Sequence, residues 1–250
     1  MEVKRKKFQG VENIIRFNWH FYVLALAIML IVFVTGIFLK GFVHDLFITV
    51  GIAALMSVFL SLVVSYYIYD YSDLYQFSWM SSCFSGNLRS ILSINAGFDE
   101  TSKIIADKFP EAILVKGDFY NPERHTEPSI ERARRAYPPE SDIILLDTRK
   151  LEFQSGQFDL IFLIFAAHEI RISSERILFF KELKRILTDN GRIIIIEHLR
   201  DIPNFIAFNF GFFHFYGRSE WINTFDESAL LIETENKLTP FIRKFILRKK

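Results

Sequence analysis

The chain carries a single cysteine, Cys83, among its 250 residues. That excludes an internal disulfide and any metal site built from several cysteines, and it agrees with a reducing compartment. An excess of charge is also missing. Lys and Arg number 30 against 29 Asp and Glu, for a formal net charge of +1. A nucleic-acid partner needs a strong basic surplus, so that class of function is set aside. There is no internal repeat and no low-complexity linker. No Gly-x-Gly-x-x-Gly follows the first strand expected beyond the N-terminal segments, which counts against a nicotinamide oxidoreductase.

Charge is absent where hydrophobicity is greatest. Residues 20–39 and 46–69 contain no Asp, Glu, Lys or Arg. Each exceeds the roughly 18 apolar residues that signal a transmembrane helix. A buried helix of a soluble protein ordinarily keeps a polar face over such a length. The short loop 40–45 joins the two segments, so the pair reads as a signal anchor followed by a second span. Lys4, Arg5, Lys6, Lys7 and Arg16 precede the first span, whereas the loop offers only Lys40. This bias predicts a cytoplasmic N-terminus, an external loop and a cytoplasmic remainder. Tyr66, Tyr67, Tyr69, Tyr71, Tyr75 and Trp79 read as an interfacial aromatic belt running into an amphipathic connector. The expected organisation is a basic N-terminus at 1–18, a transmembrane hairpin at 19–69, a connector at 70–88 and one domain at 89–250.

Within that domain, strands alternate with helices. An apolar strand at 90–95 breaks at Gly97, and a helix at 100–109 follows with Asp99 as its N-cap. A second strand, 112–116, leads to Gly117 and Asp118. The polar stretch 119–128 (FYNPERHTEP) precedes a helix at 129–137. A third strand, 142–146, ends at Asp147, and a fourth covers 158–165. A helix at 175–187 turns Ile177, Leu178, Phe180, Leu183 and Ile186 to one face. Asn190-Gly191 is expected to close it in the left-handed conformation, before a fifth strand at 192–197. This alternation predicts a parallel α/β sheet with helices on both faces and a ligand site along the strand C-termini. Asp118 falls about 20 residues beyond the glycine turn, where dinucleotide folds hold a ribose.

Phe158-Asp159-Leu160-Ile161, Glu182-Leu183-Lys184-Arg185-Ile186-Leu187 and Asn190-Gly191-Arg192-Ile193-Ile194-Ile195-Ile196-Glu197 together resemble the second half of a class I S-adenosylmethionine-dependent methyltransferase of the type 11 kind. The resemblance covers about residues 86–248 and is best at 142–197. It implies a Rossmann-like domain with a mostly parallel seven-stranded sheet. An antiparallel hairpin at 229–234 and 240–247 would close that sheet. The family's glycine motif is altered: Ser93 stands in place of its Asp, Asn95 of its first Gly and Asp99 of its third, while Gly97 matches the second. By the resemblance, Asn95, Ala96 and Gly97 contact the methionine moiety of S-adenosylmethionine, Asp118 the ribose and Asp147 the adenine amino group. Thr148 would lie beside that ring.

Methyl transfer needs positioning and, for a hydroxyl acceptor, a base. His168 and Glu169 follow the fourth strand, where donor and acceptor should meet, and His198 follows the fifth. His168 reads either as the general base or as a hydrogen-bonded structural imidazole. Glu169 reads as a ligand for a substrate hydroxyl or as the start of a solvated turn. His125 reads as a surface residue. No His/Asp/Glu group has zinc-ligand spacing along the chain, so no metal is expected. The Phe-rich stretch 204–216 suits an apolar acceptor pocket, an interfacial element or core packing. The sequence thus points to a membrane-anchored methyltransferase. Its acceptor would be an apolar or membrane-associated small molecule, such as a lipid, quinone, isoprenoid or lipid-linked phenol. The rival reading is a non-catalytic membrane protein that uses the same fold for ligand sensing or scaffolding.

Overall fold

The computed structural model describes residues 5–82, 88–124 and 127–250, so Cys83 and His125 lie outside the described residues. Two long helices open the chain, α1 (Gln9–Phe38) and α2 (Phe42–Tyr66). Both are long and apolar enough to cross a membrane, and the most apolar window of each is only 11% buried. Little of either apolar surface is covered by the rest of the chain. α1 bends at Asn18, whose φ of −112° and ψ of 18° interrupt the helix. The part before the bend rests on the remainder of the protein. The Gly10 and Val11 amides donate to the Asp70 carboxylate at 2.7 and 2.8 Å, where a negative charge satisfies orphan donors and the helix dipole. Asn13 Nδ2 donates to Glu100 Oε1 at 3.2 Å, and Tyr137 Oη donates to Asn13 Oδ1 at 3.0 Å.

α2 runs into a π-helical turn (Tyr67–Tyr71) and two 3-10 turns (Asp73–Tyr75 and Ser78–Ser82). This connector buries Ile68, Leu74, Phe77 and Met80 against one face of the sheet. Each such side chain contributes about 1.5–3 kcal/mol. Tyr69 Oη meets His198 Nε2 at 2.8 Å, and Tyr75 Oη donates to Glu100 Oε2 at 2.8 Å. These two tyrosines of the expected belt thus turn inward, because buried partners await them, while Tyr71 stays exposed.

The sheet has seven strands in the order β3-β2-β1-β4-β5-β7-β6. These are β1 (Ser90–Asn95), β2 (Ile113–Asp118), β3 (Ile143–Leu145), β4 (Phe158–Ile164), β5 (Leu187–His198), β6 (Leu230–Thr239) and β7 (Ile242–Lys249). Pairing is parallel except where β7 meets β5 and β6. Alternation along β5 sends Ile193 and Ile195 to one face and Ile194 and Ile196 to the other. The first face packs against α5 (Ser173–Ile186) and α7 (Arg218–Glu227), through Phe179, Phe180, Leu183, Trp221 and Phe225. The second packs against the connector and α3 (Ser102–Lys108). Two further helices, α4 (Pro128–Ala136) and α6 (Ile202–Phe208), lie toward the strand C-termini, and a 3-10 turn (Asn209–His214) extends α6.

Three local expectations are corrected. α3 starts later than residue 100 and its N-cap is Thr101 rather than Asp99, although Asp99 Oδ1 still accepts from the Thr101 and Ser102 amides at 3.0 and 2.9 Å. No left-handed turn closes α5. Leu187 is already extended, at ψ 140°, and Gly191 lies inside β5 without a positive φ. A Cβ on Gly191 would sit 2.7 Å from Leu187 Cδ1, so close packing explains the glycine. β5 consequently begins at Leu187 rather than near 192, and a register shift between Phe158 and Leu160 absorbs the extra length.

Candidate active site

The β1–β2 register sets Asn95 beside Asp118 at the strand C-termini. Asp118 is 1% exposed. Its Oδ1 accepts from the Tyr120 amide at 2.9 Å, and its Oδ2 pairs with Arg134 Nη1 from α4. Arg134 also donates to the Gly97 carbonyl at 3.3 Å and lies over the Tyr120 ring, 4.4 Å from its centroid. Gly97 has a φ of +100°, a conformation that suits only glycine. A Cβ there would come within 2.8 Å of Ile130 Cγ2 and 2.9 Å of Tyr120 Cδ2. Asn95 Oδ1 accepts from the Gly97 amide at 3.3 Å, while its buried Nδ2 has no hydrogen-bond partner among the described residues. Ala96 is buried between them.

Asn95, Ala96, Gly97 and Asp118 therefore form one group. Asp147 and Thr148, past the end of β3, are engaged separately. Arg149 holds Asp147 through Nε–H···Oδ1 at 3.1 Å and Nη2–H···Oδ2 at 2.9 Å, which keeps that carboxyl below its ordinary pKa. Thr148 is buried and donates to Glu175, which also accepts from Arg124 at 2.9 Å.

A second group forms beyond β4 and β5. His168 and Glu169 occupy a 3-10 turn (Ala167–Glu169) just after β4. Glu197, fully buried near the end of β5, accepts from the His168 amide at 3.2 Å and meets His168 Nδ1 at 2.6 Å. His168 Nε2 faces Glu169 Oε1 at 3.2 Å. His214, from the Phe-rich segment, places Nε2 3.1 Å from that same oxygen and Nδ1 2.8 Å from Glu127 Oε1. Burial alone would lower the pKa of His168, but the charges and hydrogen bonds of Glu197 and Glu169 outweigh it and raise it to about 10. His214 is raised against burial by Glu127 and Glu169. Glu169, despite burial, is held well below the carboxylate range by the two imidazoles.

Sequence reasoning placed His168 and Glu169 at this strand end but missed Glu127, Arg134, Glu197 and His214 as members of the site. One signal was available: Glu197 is a lone carboxylate closing a run of four isoleucines.

His198, the other candidate, is part of the packing. Its ring stacks between Phe165 and Phe215, with centroids 5.1 and 4.7 Å away. Nδ1 faces two acceptors, Asn204 Oδ1 and the Phe241 carbonyl, both at 3.1 Å, so it carries the proton. Nε2 then accepts from Tyr69. Burial dominates and pushes this imidazole down to about 4. The unfolded chain titrates near 6.5, so between those values it binds more protons than the folded one, and stability falls as pH falls. Lowering the pH from 7 to 5 should cost about 2 kcal/mol. His168 has the opposite sign and loses its contribution only as pH rises from 6.5 toward about 10. The thermal midpoint of His198→Gln should therefore lose this acid dependence. An unchanged slope would mean that His198 is not the titrating group.

A family profile described as a methyltransferase domain matches residues 124–195. No curated protein matches. Among solved structures, a SAM-dependent methyltransferase from Methanosarcina mazei aligns with a TM-score of 0.51 at 14% identity, covering 69% of this chain and 97% of that one. The PH0226 protein of Pyrococcus horikoshii OT3 aligns with a TM-score of 0.50 at 16% identity, covering 69% and 86%. The pyocyanin biosynthetic protein PhzM aligns with a TM-score of 0.50 at 14% identity, covering 68% and 53%. Strand order, the antiparallel β7 and these alignments agree: beyond its two apolar helices, the chain has the Rossmann-like fold of class I methyltransferases.

Proposed function

We propose that this protein is a membrane-anchored, S-adenosylmethionine-dependent methyltransferase that acts on an apolar or membrane-associated small molecule. The observation that carries the reading is Asn95. A buried amide donor without a partner, beside a buried carboxylate at the C-terminal edge of a parallel sheet, suits a polar ligand. Asn95, Ala96 and Gly97 would hold the methionine end of the cofactor, Asp118 the ribose, and Asp147 and Thr148 the adenine. The cofactor, when bound, supplies an electrophilic methyl group. The chain's own contribution is positioning and activation of the acceptor at His168. Glu197 fixes the ring through Nδ1, and Nε2 rests against Glu169 Oε1 at 3.2 Å, so an acceptor would meet the His168–Glu169 pair rather than a free ring nitrogen.

The acceptor class follows from the apolar surfaces. Ile202, Phe205, Ile206, Phe210 and Phe213 are exposed on the segment that carries His214. Asn209 Nδ2 ties that segment to α2 by donating to Ser57 Oγ at 2.7 Å. A groove of about 330 Å³ lies between them, lined by Met56, Ser57, Leu60, Val63, Ile206 and Asn209. Together with the uncovered sides of α1 and α2, these surfaces support a bilayer position and entry of an acceptor from the lipid, and the Lys and Arg residues before the first span support a catalytic domain on the cytoplasmic side. Anchoring then raises the local concentration of a substrate confined to the membrane.

One observation favours the non-catalytic reading. Arg134 already neutralises Asp118, and Tyr120 and Ile130 crowd Gly97, so cofactor binding requires α4 to give way. The full chain in lipid nanodiscs, supplied with methyl-labelled S-adenosylmethionine and a lipid extract from its source, should transfer label to an organic-soluble product. Neither cofactor binding nor label transfer would leave the sensing or scaffolding role. Reporter fusions at residue 250 and in loop 40–45 should give opposite signals, and equal signals would overturn the orientation.

A further inference from the structure

We infer that His168, Glu169 and His214 form a binding site for one divalent transition-metal ion of the zinc class. Each offers one ligand atom, and the three atoms lie within 4.8 Å of one another. The spacing along the chain hides the group, because His214 lies 45 residues beyond Glu169.

The distances accommodate a metal ion as well as they do a hydrogen-bonded cluster of ion pairs. Ligand atoms bound tetrahedrally at 2.0–2.1 Å lie about 3.3 Å apart. His168 Nε2 and His214 Nε2 stand 3.2 and 3.1 Å from Glu169 Oε1. Charge-assisted hydrogen bonds run shorter, at roughly 2.7–2.9 Å, and the outer contacts are that short. His168 Nδ1 meets Glu197 at 2.6 Å, and His214 Nδ1 meets Glu127 at 2.8 Å. Each imidazole is thus backed by its own carboxylate on Nδ1 and turns Nε2 toward the shared Glu169 oxygen. That is the outer-shell arrangement which orients metal-ligating histidines. Two imidazoles and one carboxylate favour zinc-like ions over magnesium or calcium. Three protein ligands also leave a coordination position open, the pattern of a catalytic site.

One cation opposes the site. Arg171 Nη2 lies 2.7 Å from His214 Nε2 and also contacts Nδ1, and its Nη1 donates to the His214 carbonyl at 2.7 Å. The Arg171 side chain is 42% exposed, so it can swing into solvent as the ion enters. An acceptor oxygen reaching the three ligands from the Phe-rich segment that carries His214 would be polarised by the ion. This role in activating the acceptor rests on the methyltransferase reading, whereas the binding site itself does not.

The test uses the full chain in detergent, stripped with a chelator and titrated with Co²⁺ and then Zn²⁺ without cofactor or acceptor. The expected result is one metal per chain by elemental analysis, visible Co²⁺ d–d bands that Zn²⁺ abolishes, and a rise in thermal midpoint. His168→Ala, His214→Ala and Glu169→Gln should each bind at least tenfold more weakly. Glu127→Gln should lose about 10–100-fold through the outer shell, and Arg171→Ala should bind at least as tightly as the wild type. Circular dichroism of each variant establishes folding. Sub-stoichiometric metal in the wild type, or undiminished binding in folded His168→Ala/His214→Ala, overturns the site. Metal binding without cofactor binding overturns only the methyltransferase reading, and the reverse outcome overturns only the metal.

Discussion

His168→Ala should reduce methyl-transfer turnover by about 10²–10⁴-fold, the scale on which a positioned acid–base group contributes. Binding of S-adenosylmethionine should stay within a few-fold of the wild type, because His168 lies past β4 and the cofactor residues lie at the ends of β1 and β2 and past β3. Single-turnover rates and cofactor titrations on the same preparation separate the two effects. His168 is held by Glu197 through both its amide and its ring, so circular dichroism and the thermal midpoint should accompany the kinetics. A folded variant with near-normal turnover would reduce His168 to a packing residue. Loss of cofactor affinity in the same variant would place His168 in the cofactor site instead.

Asp118→Ala should weaken S-adenosylmethionine binding at least tenfold, since a hydrogen bond to a charged group contributes about 1.5–3 kcal/mol. The ion pair with Arg134 makes the comparison sharper. Arg134→Met removes the competitor for the carboxylate and should tighten cofactor binding. It should also lower the thermal midpoint, because a buried carboxylate is left without its partner. Calorimetry on both variants decides the assignment. Unchanged affinity in Asp118→Ala would remove Asp118 from the site. Abolished affinity in Arg134→Met would mean that the guanidinium holds the cofactor itself.

The central sheet was legible because its strands are nearly continuous runs of Ile, Leu and Phe, as buried parallel strands are. Turn residues or acidic ends bracket them. Asp118 could be read from such an end, and the register does set it beside Asn95. The passage from α5 to β5 was not legible. Asn190-Gly191 suits a left-handed turn, but pairing of Phe158 with Leu187 keeps the chain extended from Leu187 onward. Arg134 escaped notice because nothing local shows which residues of a short helix face the sheet edge. The His168–Glu169–His214 group escaped for a related reason: chain spacing marks ligands that share one turn or helix, and this group joins a turn after β4 to a turn after α6. The connector from Tyr66 to Trp79 read as a membrane-surface belt leading into an amphipathic stretch, yet it buries Leu74 and Phe77. An amphipathic face seeks any apolar surface, and here the protein's own sheet provides it.

The bend at Asn18 also sets an order of assembly during synthesis. The residues before it leave the ribosome well ahead of their partners. Asp70 caps the Gly10 amide from 60 residues downstream, Glu100 receives Asn13 from 87, and Arg132 reaches the Phe17 carbonyl from 115. The first turn of α1 therefore waits, uncapped, until both apolar helices and Asp70 are made, and its contacts with Glu100 and Arg132 wait further, for the first and second strands. Closing loops of this length carries an entropic cost that later contacts must offset. The docked N-terminal turn becomes a late checkpoint, completed only when the hairpin and the cofactor half of the sheet have formed and met.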